Sequence, residues 1–336
     1  MGTAETEPLT RFIAIEEAIV PKRTMFCDGK VLRASCLGLI RAPGSPEQLA
    51  SQFHQTAAEL RRGAGWFGSL NSEVRFAVAA SLVRRGQSAG AFAVELDRVQ
   101  AMFREERLPR GGSLEVLAIL LLSGSQENLA TPRGSVERLA LFYRAMKSRK
   151  RLLTGTDDYP ACALLCSEPG REVEVLDRVD ALYEGLKARG LRRGNALQRT
   201  SHLLHFSTQP DGPVLDRFSD LFGCFRHAGL RMGERDYGLV ATLCFLAMEA
   251  ERVVDTVLGQ RRTLLETSGA RGKQEGFELA TSTAFQTLTL EADRTQGALA
   301  GWTPDIPRLL MVTNMLAAQE AAMVAAAAST VLVVTH

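Results

Sequence analysis

Lys150 to Cys166 reads KRLLTGTDDYPACALLC, which sets two adjacent carboxylates and a tyrosine ahead of an apolar run that holds two thiols. Like charges held side by side titrate apart, so Asp157 and Asp158 could divide acid and base roles between them. Farther along, NALQRTSHLLH spaces Asn195, Gln198, His202 and His205 at intervals of three or four, and an imidazole suits proton transfer near neutral pH. A polar site made of Asp157, Asp158, Asn195, Gln198 and His202, with His202 as general base, is one chemistry these types allow. Zinc is another: Cys162 and Cys166 stand four apart, His202 and His205 three apart, and a set of this kind can close a tetrahedral site. The spacings nevertheless lack the tight knuckles of structural zinc sites, and cysteines scattered through apolar helices ordinarily fill small core positions. His202 aligns with Ala118, Ala163 and Thr242, where a structural hydrogen bond is expected. The expectation is therefore no metal and no cofactor.

Any such site depends on the elements that carry it. VELDRV, EVLDRV and PVLDRF are near copies, and the acids Asp97, Glu137, Asp177, Asp216 and Asp255 recur every 39 or 40 residues, four of them followed by Arg98, Arg138, Arg178 and Arg217. Around each acid the apolar residues keep one helical face: Leu96, Val99 and Phe103 return as Val136, Leu139 and Tyr143, as Leu176, Val179 and Tyr183, and as Leu215, Phe218 and Phe222. A second apolar segment follows each first one, so the unit is helix A, turn, helix B. A hairpin of this kind cannot bury its own apolar face and must stack on its neighbours. The predicted fold is all-α: an α-solenoid of two-helix repeats, right-handed in type and HEAT-like or TPR-like, with six or seven units of about 40 residues in 1–300. Residues 8–41 form a degenerate first pair in this reading. The Ala-rich residues 301–336 are predicted as a C-terminal helix that caps the array or pairs with another chain, the whole making one continuous structural unit.

In this register Thr156 caps a helix B, and Asp157 and Asp158 stand in its first turn, where their charges suit the positive end of the helix dipole. Pro160 fits there too, because first-turn amides have no helical partner to lose. Asn195 is read as the matching cap of the next unit, with Gln198 completing a capping box. The turns between A and B are basic. One carries Arg149, Lys150 and Arg151, the next Arg192 and Arg193 among Lys187, Arg189 and Arg199, and stacked turns would add these charges into a rim suited to an acidic or phosphate-bearing partner.

Over 336 residues the net charge is only +2, which gives no general attraction to nucleic acid or to an anionic membrane. The six cysteines form no compact framework, the N-terminus MGTAETEPLTRF lacks the basic start and apolar middle of a signal peptide, and AAMVAAAASTVLVV falls short of the roughly 20 residues of a membrane span. A cytoplasmic protein is expected. No phosphate loop or HExxH occurs, which favours a non-enzymatic scaffold for an unknown protein or peptide over an enzyme or small-ligand receptor. Together with the repeat, the segments LLTGTDDYPACALLC, GLRRGNALQRTSHLL and FGSLNSEVRFAVAASLV make the chain resemble a bacterial family known only as domain of unknown function 4003, over most of Leu9 to Leu290 and most specifically at DDYP and GNxLQxxSH. That resemblance implies a bacterial, cytoplasmic protein and brings no catalytic residue with it.

Overall fold

The computed structural model describes residues 7–22, 29–62, 72–124, 131–150, 153–166, 168–267 and 272–296. The expected C-terminal helix at 301–336 and Arg151 of the basic rim lie outside them. Helical periodicity is realised as α1 (Pro8–Ile19), α2 (Gly29–Leu37), α3 (Pro46–Arg62), α4 (Ser72–Arg85), α5 (Ala89–Glu105), α6 (Ser113–Gly124), α7 (Pro132–Arg149), α8 (Tyr159–Leu165), α9 (Glu172–Ala188), α10 (Asn195–His205), α11 (Asp211–His227), α12 (Tyr237–Leu243), α13 (Ala250–Thr267) and α14 (Lys273–Gln296). No strand occurs among the described residues. The chain is all-α. Asp97, Glu137, Asp177, Asp216 and Asp255 fall on α5, α7, α9, α11 and α13, so the odd-numbered helices from α5 are the A helices of the repeat.

The described residues divide into two compact units, one from Arg11 through α8 and the other from Glu168 through α14 together with the residues ahead of Arg11. In the first, α3 packs on α5 and α5 on α7, while α2 packs on α4, α4 on α6 and α6 on α8. In the second, α9 packs on α11 and α11 on α13, while α10 packs on α12 and α12 on α14. A helices thus lie beside A helices, and B beside B. Helices α6 and α8 are apolar on nearly every side and are correspondingly enclosed: residues 115–122 of α6 and all seven of α8 are buried. The A helices bury one stripe, Leu96, Val99 and Phe103 in α5 and Leu176, Val179 and Tyr183 in α9, and leave the acids Asp97 and Asp177 in solvent.

Helix ends repeat as closely as helix faces. Ser88 and Thr131 cap α5 and α7 by accepting the amides of Ala91 and Gly134, each at 3.1 Å. At the other end, Leu191 N–H reaches Leu186 O (3.3 Å) and Leu230 N–H reaches Phe225 O (3.1 Å), with the left-handed residue between supplied by Gly190 (φ +88°) and Gly229 (φ +85°). Helix α5 ends the same way, Leu108 N–H to Phe103 O at 3.0 Å, but with Arg107 at φ +54°. A side chain there carries a steric penalty that glycine avoids. Arg107→Gly should therefore raise stability by up to about 1 kcal/mol in urea unfolding, against a small entropic loss in the unfolded chain. A lower midpoint would show that the arginine side chain makes a compensating contact.

Arg178 and Arg217 of the repeat, unlike the exposed Arg98, have backbone targets. Arg178 donates from Nη1 to His205 O (2.9 Å) and from Nη2 to Gln209 O (2.7 Å), and its Nε meets Asp211 at 2.9 Å. Arg217 does likewise with Leu246 O at 3.1 Å and with Met248 O. In the degenerate first pair Arg11 binds Ile40 O and Ala42 O, both at 2.6 Å, and Gly44 O at 3.0 Å. The last carbonyls of a helix have no amide to accept from, and a guanidinium offers several donors in one fork. Each A helix so equipped fastens the end of its own B helix and the linker that leads to the next A helix.

Candidate functional site

The turns joining A to B are built alike in both units, with a period twice that of the hairpin. In GTDDY, Gly155 N–H donates to Asp158 Oδ2 (3.0 Å) while Asp158 N–H returns to Gly155 O (3.1 Å). In GERDY, 78 residues on, Gly233 N–H donates to Asp236 Oδ2 (2.7 Å) and Asp236 N–H returns to Gly233 O (3.0 Å). Each makes a 3-10 turn, Thr156–Asp158 or Glu234–Asp236, that leads into a helix of seven residues. The tyrosine after each turn then spans to the A–B turn of the preceding hairpin: Tyr159 Oη donates to Pro109 O (2.7 Å), and Tyr237 Oη accepts from Arg192 N–H (3.1 Å). Tyr159 is fully buried between Tyr143 and Phe103, and burial first, with Tyr143 and Glu115 beside it, pushes its hydroxyl well above the usual phenol range. It acts as a donor and packing element, held protonated.

The two carboxylates of the DDYP motif are therefore not equivalent. Asp158 is 5 % exposed and committed to the Gly155 amide, whereas Asp157 is half-buried. The cap expected at Thr156 moves to Gly155, because a carboxylate three residues on reaches back to a bare backbone amide better than a threonine hydroxyl reaches forward. Likewise Gly194, at φ +149°, takes the cap position of α10, and Asn195 becomes an exposed first helical residue. Gln198 and His202 are buried on α10, at 3 % and 4 % exposure. Of the five residues weighed for a polar site, Asp157 and Asp158 belong to one compact unit and Asn195, Gln198 and His202 to the other.

The thiols are core groups. Cys162 Sγ lies 3.5 Å from Met146 Sδ and Cys166 Sγ 3.8 Å from Ser135 O, both in the unit that ends at Ser167, while His202 and His205 belong to the other. Burial, with Asp158 and Cys166 nearby, pushes the Cys162 thiol well above its ordinary value, opposite to the thiolate that a metal requires. Cys36 is likewise pushed up to about 12 by burial. No group of three or more His, Cys, Asp and Glu among the described residues could hold a metal ion.

The basic rim is in part answered by acids that sequence spacing hid. Lys187 pairs with Glu184, Arg189 with Asp216 on α11, and Arg192 with Glu234 of the next A–B turn at 3.0 Å. Arg192 is still 81 % exposed, and Arg193 is exposed with no partner among the described residues. In the other unit Arg149 is exposed and Lys150 half-buried at the end of α7, where the Lys150 carbonyl accepts from Leu153 and Thr154 (3.0 Å each). Arg231 and Arg235, both exposed, lie three residues before and one after Glu234, in the turn that meets Arg192. Matching GTDDY to GERDY would have brought that second turn into view.

The sequence profile described as "Protein of unknown function (DUF4003)" matches residues 44–321. An uncharacterized protein of Bacillus subtilis (strain 168), YeaA, is 27% identical over 166 residues, which is 49% of this chain and 50% of that protein. The match spans about half the length of each. No solved structure matches the chain.

Proposed function

We propose that this chain, which belongs to the DUF4003 family of unknown function, is a non-enzymatic helical-repeat scaffold that holds a protein or peptide at the rim formed by its A–B turns. The hairpins would continue one another as a solenoid, each helix B supplying core and each turn supplying contacts. The observation that supports this reading is the α9–α10 turn. Its backbone is pinned at the Arg192 amide by Tyr237, while the Arg192 and Arg193 side chains stand in solvent. A rigid backbone bearing exposed guanidiniums is the arrangement a recognition surface needs, since little ordering entropy is left to lose. Arg149 and Lys150 would serve the corresponding turn of the α7–α8 hairpin. No helix among the described residues is long and apolar enough to cross a membrane.

Arg192→Glu with Arg193→Glu should abolish capture of the partner that the wild-type chain retains from its native host, with the melting temperature within a few degrees of wild type. Capture by the wild type should also weaken as salt rises, because exposed charges are screened over about 10 Å at 0.1 M. Retention of the same partner by the double variant, with unaltered salt dependence, would place the binding face elsewhere.

A further inference from the structure

Two adjacent turns of the second unit concentrate positive charge where the helices themselves do not call for it. Cations at the carboxyl ends of helices are commonplace, since they complement the dipole there. Arg192 and Arg193 do not sit at such an end: they follow Gly190, which has already closed α9, and stand directly ahead of the amino end of α10. Arg231 follows Gly229, which closes α11, and Arg235 lies within the 3-10 turn Glu234–Asp236 that opens α12. At helix starts the dipole disfavours positive charge. The turn chemistry is indifferent to it as well, since Gly155–Asp158 folds the same way with an aspartate where Gly233–Asp236 has Arg235. All four arginines are exposed, and Arg193, Arg231 and Arg235 have no side-chain partner among the described residues.

The acid within this cluster is Glu234, half-buried, whose Oε1 meets Arg192 Nη1 at 3.0 Å. Asp236 is buried and spent on the Gly233 amide and on Gln274 Nε2 (2.9 Å). We propose that Arg192, Arg193, Arg231 and Arg235 form a docking surface for an acidic protein segment, and that Glu234 is an internal competitor that occupies Arg192 until the carboxylates of that segment displace it. The proposal rests on the scaffold reading and adds to it the partner's chemistry and a restraint on its affinity. Carboxylate is the favoured chemistry because a carboxylate already pairs with Arg192 at 3.0 Å, and because a protein of net charge +2 gives no long-range attraction to a nucleic-acid polyanion. Glu234 in turn would keep weakly acidic segments off the surface, since they gain only what they recover beyond the internal pair.

Binding of a fluorescein-labelled peptide of about ten glutamates to the full chain, followed by anisotropy at low salt, tests both parts. Arg193→Glu with Arg235→Glu should weaken binding at least about tenfold. The neutral pair Arg193→Gln with Arg235→Gln, should the reversal disturb folding, should still weaken it several-fold. Glu234→Gln should tighten binding roughly twofold to fivefold by freeing Arg192. If the arginine variants bind the peptide as wild type does, the surface is wrong. If they weaken binding but Glu234→Gln leaves it unchanged or weaker, the competitor is wrong. Displacement of the peptide by a single-stranded oligonucleotide at lower charge concentration than by unlabelled glutamate peptide would overturn the choice of carboxylate. Should the host partner depend on Arg192 and Arg193 while the peptide binds wild type and variants alike, the scaffold reading stands and this inference falls.

Discussion

Arg178→Ala should cost about 2 to 3 kcal/mol of unfolding free energy, far more than a surface arginine ordinarily contributes. The ion pair is not the reason. Arg178 and Asp211 are 30 % and 38 % exposed, and a pair open to solvent on that scale is worth little. The cost comes from the two carbonyls, His205 O and Gln209 O, which receive charge-assisted bonds of 2.9 and 2.7 Å from one fork. His205 is buried, so its carbonyl would lose its donor where water enters with difficulty. Arg178→Lys should recover less than half of the loss, because a single ammonium cannot serve carbonyls four residues apart together with Asp211. Arg98, at the same place in the DR motif but exposed, supplies the control, with an expected loss of under about 0.5 kcal/mol on substitution by alanine. Equal midpoints for Arg178→Ala and Arg98→Ala in urea would show that the fork does not hold the α10–α11 linker.

The contrast between Arg178 and Arg98 also marks what a sequence can disclose. That the DR pair recurs every 39 or 40 residues is legible in one dimension, and so is the apolar face around it, because a helix converts fixed spacing into a common side. The partners of Arg178 lie 27 and 31 residues ahead and are main-chain carbonyls, which carry no side-chain identity to read. Asp158 illustrates the same limit on a smaller scale. Its type and place near a helix start were visible, but Gly155, whose amide it accepts, looks like a mere spacer until the turn closes. The helix B lengths were hidden for a related reason: the 3-10 turns before α8 and α12 consume three residues each that a periodic pattern assigns to the helix. On the rim, the basic residues were legible and their acids were not, since Glu234 meets Arg192 across 42 positions. The doubled turn could have been found, because GTDDY and GERDY share three residues in the same order.

Acid should destabilise the protein through His205 in particular. Its imidazole is buried at the end of α10, and burial first, then the nearby Arg178, holds its pKa down to about 4 from an ordinary 6.5, with Asp211 pulling weakly the other way. Glu168 stands 3.7 Å from Nε2, too far for a hydrogen bond that would favour the charged form. From the next helix B, the sequence YGLVATL brings Tyr237 alone as a titratable group, and its hydroxyl is engaged by the Arg192 amide. Because the folded pKa lies below the unfolded one, the unfolded chain binds the extra proton between about pH 6.5 and 4. The contribution is therefore fully present above about pH 6.5 and is lost as the pH falls, reaching about 3 kcal/mol near pH 4. Carboxylates also protonate toward the acid end, so the quantity to read is the difference between wild type and His205→Gln. The variant should be less stable than wild type at pH 7.5, where it forfeits packing and gains nothing, and its stability should fall less steeply between pH 6.5 and 4.5. Parallel stability curves for the two proteins across that range would mean that His205 titrates in the folded protein as it does in water, and that the buried end of α10 is open to protons.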